Sequence, residues 1–133
     1  MKNVLILCTG NSCRSIMAEA LINAKLGDCI YAQSSGVKAS GTVNPNAKAL
    51  LKSKNYWKDE YHSKVIESVL ETPFDLVVTV CDHAKETCPM FPKAVEGIHV
   101  GFDDPSGKAV EEYEKTLNLI EKELLPILKA KFC

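Results

Sequence analysis

Apolar and polar positions fall in blocks along the chain, and the spacing within each block separates strands from helices. Val4-Leu5-Ile6-Leu7 is a continuous apolar run of strand length, the pattern of a strand buried on both faces of a parallel sheet. Over residues 15–26 the period changes. Met17, Ala20, Leu21 and Ala24 recur at i, i+3, i+4 and i+7, which predicts a helix that Gly27 ends. Residues 30–34 read as a second strand closed by Gly36. Asn44-Pro45 reads as the N-cap and first position of a helix carrying Ala47, Leu50 and Leu51. A short helical stretch at about 63–70 precedes Pro73. Leu76-Val77-Val78-Thr79-Val80 is the clearest buried strand and stops at Cys81, and residues 97–100 form a fourth. From Val110 onward Tyr113, Leu117, Ile120 and Leu124 keep helical spacing, and Pro126 is expected to kink or end that helix.

With a further helix placed between the last two strands, the order is β-α-β-α-α-β-α-β-α. That alternation predicts an α/β fold: one domain over residues 1–133, with a four-stranded parallel sheet flanked by helices. Ligands in such sheets bind at the carboxyl ends of the strands. Three polar segments begin there: Cys8 after the first strand, Cys81 after the third, and Phe102-Asp103-Asp104-Pro105 after the fourth. No local preference requires that coincidence, so they are expected to form one site.

Composition narrows the function classes. With 133 residues, 46% hydrophobic and 25% charged, the chain can bury a core without staples. A net charge of −1 gives no reason to expect nucleic acid or an anionic membrane surface as a partner. No apolar run approaches the roughly 20 residues of a membrane span, and no signal-peptide pattern opens the chain, so a cytoplasmic protein is expected. Six cysteines then point to thiol catalysis or metal binding more than to structural disulfides. Metal is the weaker of the two. There is no C-x-x-C pair, and a site built on Cys81 and His83 would need ligands from elsewhere. Cys29, opening a strand, reads as a core thiol, and Cys133, the last residue, as a frayed end without a role.

The stretch Cys8-Thr9-Gly10-Asn11-Ser12-Cys13-Arg14-Ser15 between first strand and first helix carries the chemistry. The backbone from Thr9 to Arg14 can curl so that its N–H groups converge on a tetrahedral anion. Gly10 and Asn11 tolerate the left-handed backbone a curl needs. Arg14 offers a planar fork matching two anion oxygens. Cys8 sits where the helix dipole and the arginine favour thiolate, the nucleophilic form. Ser15 can donate to the Cys8 sulfur or serve as a helix cap. Cys13 lines the cradle with no chemical role of its own. A thiolate attacking an oxyanion needs an acid to protonate the departing oxygen. Asp104 is preferred for that, with Asp103 not separable from it by pattern.

Cys81 and Cys88 are either two unrelated core thiols or a redox pair. If residues 82–87 form a helical turn, the two Cα atoms stand about 10 Å apart at 1.5 Å per residue. A disulfide needs them within about 7 Å, so pairing requires the segment to unwind or loop out.

Together these residues resemble the thioredoxin-coupled arsenate reductases, built on the low-molecular-weight tyrosine phosphatase fold. The likeness rests on residues 8–15, Met17-Ala18-Glu19, Ser35-Gly36, Val43-Asn44-Pro45, Asp75 to Cys81, Cys88-Pro89 and Gly101-Phe102-Asp103-Asp104-Pro105. The first motif fits phosphatase and reductase equally. Cys81 with Cys88 favours the reductase, as does Ser106 after Asp104-Pro105, where the phosphatases place an aromatic residue. The resemblance implies a relay. Cys8 attacks arsenate, Asp104 protonates the leaving oxygen, and Cys81 attacks the adduct to release arsenite. Cys88 then displaces Cys8, and thioredoxin reduces the last disulfide. Glutaredoxin with glutathione is the alternative reductant. A monomer without cofactor is implied, with a phosphatase or a thiol redox sensor as the competing functions. Some family members bind potassium through an Asn, a Glu, a Ser and a downstream Asp. Asn11, Glu19 and Ser34 match but Val65 replaces the acid, so little activation by potassium is expected.

Overall fold

The computed structural model describes residues 1–82 and 90–133. Four parallel strands form one sheet: β1 (Lys2–Cys8), β2 (Ile30–Gly36), β3 (Leu76–Thr79) and β4 (Gly97–His99), in the order β2-β1-β3-β4. The helices are α1 (Arg14–Leu26), α2 (Pro45–Ser53), α3 (Val110–Glu123) and α4 (Leu125–Phe132).

β1 is central, and Val4 to Leu7 are wholly buried. Because side chains alternate along a strand, Val4 and Ile6 face α1, α3 and α4, whereas Leu5 and Leu7 face Ile66, Val69, Phe74 and Val77. Asn44 caps α2 as expected, its Oδ1 accepting from the N–H groups of Asn46 at 2.9 Å and Ala47 at 3.3 Å.

One expectation changes. The stretch predicted as helical at about 63–70 is only a short 3-10 turn, Ile66–Val69. Its apolar side chains face the sheet, so burial sets its shape more than helix propensity does. Pro126 marks a break in that helix, as expected. α3 ends at Glu123, and Pro126 lies in the first turn of α4, where its missing N–H breaks no bond. The helix placed between the third and fourth strands falls outside the described residues.

The strand order places the site. After β1, the chain crosses to β2 on one side, and β3 then joins β1 on the other. The loops leaving β1 and β3 therefore diverge at a switch point, which opens a crevice at the carboxyl edge of the sheet.

Candidate active site

Residues 8–15 and Asp104 line one cavity of about 310 Å³ at that crevice. The loop's carbonyls explain its shape. The backbone N–H of Lys38 donates to Thr9 O (3.0 Å), that of Ser40 to Gly10 O (2.9 Å) and that of Asn44 to Ser12 O (2.8 Å). Each carbonyl is thus turned outward against residues 38–44. Since C=O and the next N–H point oppositely across a planar trans peptide, the N–H groups of Gly10, Asn11 and Cys13 point the other way, into the concavity. No side-chain cap closes the start of α1, so the positive end of its dipole also opens there.

Asn11 takes the left-handed backbone the curl needs, with φ 47°. Gly10 does not. Asn11 is also buried, and its side chain ties four elements together. Its Nδ2 donates to Ser15 Oγ (2.8 Å) and Ser34 Oγ (2.9 Å), and its Oδ1 accepts from the Lys64 N–H (2.8 Å). Ser34 Oγ in turn donates to Glu19 Oε1 at 2.6 Å. Ser15, wholly buried, accepts from Asn11 and keeps its own hydrogen for another acceptor in the cavity.

Arg14 is 6% exposed. Its Nη1 donates to the Phe102 carbonyl (3.1 Å), and its Nη2 lies 3.7 Å from Asp104 Oδ2. The half-exposed Asp104 is held by the Ser106 N–H at 3.0 Å. Asp103, the alternative acid, lines a separate cavity with Gly101, Phe102 and Glu112. Cys8 and Cys13 keep their thiols. Burial pushes the Cys13 thiol up to about 12, with Asp104 adding to the effect, so Cys13 stays protonated and unreactive at neutral pH.

Cys81 follows β3, fully buried and disulfide-bonded in this structure. Leu7 and Thr79 are register partners, so continuing that register two residues brings Cys81 level with Thr9, about 4.8 Å away across the strands. Cys88 and His83 lie outside the described residues.

Gly36 escaped sequence reasoning as a physical constraint. A Cβ there would run into the Thr9 carbonyl oxygen and come within 3.0 Å of Cys8 O. The edge of β2 therefore packs directly on the backbone of Cys8 and Thr9. The signal was a glycine directly after a buried strand, Ser35-Gly36. Phe102, whose carbonyl anchors Arg14, left no sequence signal at all, because a main-chain acceptor has no residue code.

The residues corresponding to a potassium site do not fit that ion. Asn11, Ser34 and Glu19 already satisfy one another, and Val65 is exposed. Lys64 supplies positive charge towards Glu19 instead. Burial nonetheless raises the Glu19 carboxyl from 4.5 to about 7, with Lys64 and the Ser34 bond acting against the rise. A raised carboxyl favours the fold most below about pH 4.5 and loses that contribution as pH rises through about 7. Glu19→Gln keeps an acceptor for Ser34. It is expected to match wild type near pH 5 and to exceed it by on the order of 3 kcal/mol at pH 8. Urea unfolding at both pH values checks this; parallel pH profiles for the two proteins would sink it.

The third and last cysteines correct the sequence reading. Cys29 and Cys133 are neither core thiol nor idle end; they are disulfide-bonded to each other, with Cα atoms 5.7 Å apart. A sequence separation of 104 hid the contact, since only the packing of α4 brings Cys133 to the start of β2.

Residues 3–131 match the family described as low molecular weight phosphotyrosine protein phosphatase. An arsenate reductase of Brevibacillus brevis is 44% identical over 114 residues, covering 86% of this chain and 84% of that protein. The crystal structure of an arsenate reductase from Archaeoglobus fulgidus superposes with a TM-score of 0.83 at 31% identity, covering 95% of this chain and 98% of the other. A low molecular weight protein tyrosine phosphatase from T. tengcongensis superposes with a TM-score of 0.73 at 27% identity, covering 92% and 94%. Among the described residues, no helix is long and apolar enough to cross a membrane, and no three His, Cys, Asp or Glu side chains are grouped to hold a metal ion.

Proposed function

Since the chain belongs to the low molecular weight phosphotyrosine protein phosphatase family, and its relatives at 44% identity are arsenate reductases, we propose that it is an enzyme reducing arsenate to arsenite. The observation that carries this reading is the convergence of Cys8, Arg14 and Asp104 on one cavity, with Cys81 two residues beyond the end of the adjacent strand.

The cradle N–H groups and the Arg14 guanidinium hold the anion's oxygens. The Cys8 thiolate attacks arsenic, and Asp104 donates a proton to the departing oxygen, which leaves as water. The Cys81 thiolate then attacks the Cys8 sulfur. The sulfur–arsenic electron pair passes to arsenic, which leaves as arsenite, and a Cys8–Cys81 disulfide forms. Cys88 attacks Cys81 and expels Cys8 as thiolate. The remaining Cys81–Cys88 disulfide takes two electrons from the dithiol of thioredoxin, and the enzyme acts as a cytoplasmic monomer. Ser15, donating to the Cys8 sulfur, holds the thiolate in both its attacking and its leaving role.

Coupled NADPH oxidation with thioredoxin, thioredoxin reductase and arsenate tests the relay. Wild type is expected to turn over continuously. Cys81→Ser and Cys88→Ser are expected to stop multiple turnover, with Cys88→Ser still releasing one arsenite per enzyme. Normal cycling by Cys88→Ser would falsify the three-cysteine order. Replacing thioredoxin with glutaredoxin and glutathione distinguishes the reductant. Slow hydrolysis of an aryl phosphate is compatible with this reading, because the same cradle accepts phosphate.

A further inference from the structure

The Cys29–Cys133 disulfide plays no part in the proposed relay. It lies at the amino edge of the sheet, where Lys2 N–H, opening β1, donates to the Cys29 carbonyl at 2.9 Å. The cradle lies at the other end of β1. Seven residues at about 3.3 Å each put it about 20 Å away, far beyond direct exchange with Cys8.

Position makes this disulfide a fastener of the last helix. Cys29 sits between α1 and β2, its N–H donating to Leu26 O at 3.0 Å. Cys133 closes α4, its N–H donating to Lys129 O at 2.9 Å. Two residues earlier, Lys131 Nζ meets Glu96 Oε2 at 2.7 Å, just before β4. The end of α4 is therefore tied toward both edge strands of the sheet, covalently at β2 and by an ion pair at β4. Leu125 and Leu128 anchor the start of α4 in the core, but Lys129 to Lys131 are exposed. Without the covalent tie, the last turn of α4 is held by the partly buried Phe132 and by one part-exposed ion pair, a weak restraint. Cys29 is half-buried and Cys133 exposed, so an exchanging thiol or disulfide can reach the pair.

We infer that Cys29 and Cys133 form a reversible redox clamp on the C-terminal helix, set by small-molecule disulfides and independent of the catalytic thiols. In the closing step one cysteine thiolate attacks glutathione disulfide, forming a mixed disulfide and releasing one glutathione. The second cysteine thiolate attacks the protein sulfur of that mixed disulfide and releases the second glutathione. The two protein thiols lose two electrons and two protons, and glutathione disulfide becomes two glutathione thiols. A dithiol reverses the sequence. The clamp does not depend on whether the cradle reduces arsenate or hydrolyses phosphate.

The test equilibrates wild type, Cys133→Ser and Cys29→Ser with glutathione disulfide or with excess dithiothreitol, then alkylates, digests with trypsin and measures Tm. In the oxidised wild type, the peptide of residues 26–38 is expected to be linked to residues 132–133, and the link to vanish in dithiothreitol. Closing so long a loop is expected to raise the oxidised wild-type Tm by about 5–15 °C over either variant, with the difference lost on reduction. Amide exchange over residues 129–133 is expected to be faster in the variants. Both retain the catalytic cysteines, so arsenate turnover with the thioredoxin system is expected within twofold of wild type. Alkylated Cys29 and Cys133 in glutathione disulfide, equal Tm values across the oxidised proteins, or a link that survives dithiothreitol would each overturn the clamp.

Discussion

Cys8→Ser is expected to release no arsenite above the uncatalysed rate, a loss of at least about 10⁴-fold in kcat/KM. Two steps fail together. A serine hydroxyl is far less acidic than a thiol, so the helix terminus and Arg14 cannot convert it to a nucleophile at neutral pH. An alkoxide also cannot take the place of the Cys8 sulfur, because the reduction of arsenic requires a sulfur–sulfur bond to Cys81. The substitution is nearly isosteric at a position that is 3% exposed, and the fold should remain intact. Single-turnover arsenite release measures the first step, and binding of phosphate to the variant measures the cradle. Phosphate affinity is expected to persist, since the N–H groups and Arg14 are untouched. Residual arsenite release within 100-fold of wild type would show that another thiol attacks arsenate. Cys13, the thiol nearest in sequence, is poorly suited, because burial keeps it protonated.

Arg14→Lys is expected to lower kcat/KM for arsenate by on the order of 10²-fold, even though charge is conserved. The guanidinium reaches the Phe102 carbonyl through Nη1 and Asp104 through Nη2, which fixes its plane beside the cavity. A lysine ammonium is a single point donor. It cannot hold those two partners and also present two parallel bonds to the anion. Losing one charge-assisted bond costs about 1.5–3 kcal/mol, and every 1.4 kcal/mol is tenfold. Weaker inhibition by phosphate, by a similar factor, should accompany the change if the loss lies in oxyanion binding. If KM for arsenate and inhibition by phosphate stay within threefold of wild type, the forked contact is not what binds the anion.

Much of this site was legible because its parts are contiguous. Residues 8–15 curl on themselves, so one stretch of chain carries the proposed nucleophile, the cradle and the arginine, and their spacing can be read without a fold. The strand-helix alternation was equally legible, since burial imposes period 2 on strands and period 3.6 on helices. Pro126 was legible for a local reason too, because a proline cannot continue a helix's hydrogen-bond ladder. α3 ends at Glu123, and α4 restarts with Pro126 in its first turn.

The parts that stayed hidden are those that packing alone brings together. Asp104 and Asp103 are adjacent in sequence, yet backbone direction turns one into the cradle's cavity and its neighbour into another. Glu19 matched the potassium-site pattern in sequence; its burial beside Ser34 instead makes it a carboxyl with a shifted affinity for its proton. Cys29 and Cys133 are the clearest case. Neither carries a local signal, and they lie 104 positions apart. By itself the sequence determined the alternation of elements and singled out Cys8 and Arg14 as candidate nucleophile and anion-binding arginine, because those follow from short-range geometry and side-chain chemistry. Only the tertiary structure decided which carboxylate faces the cavity, which main-chain atoms hold the arginine and which cysteines meet, because such contacts depend on how strands order in the sheet and where the last helix docks.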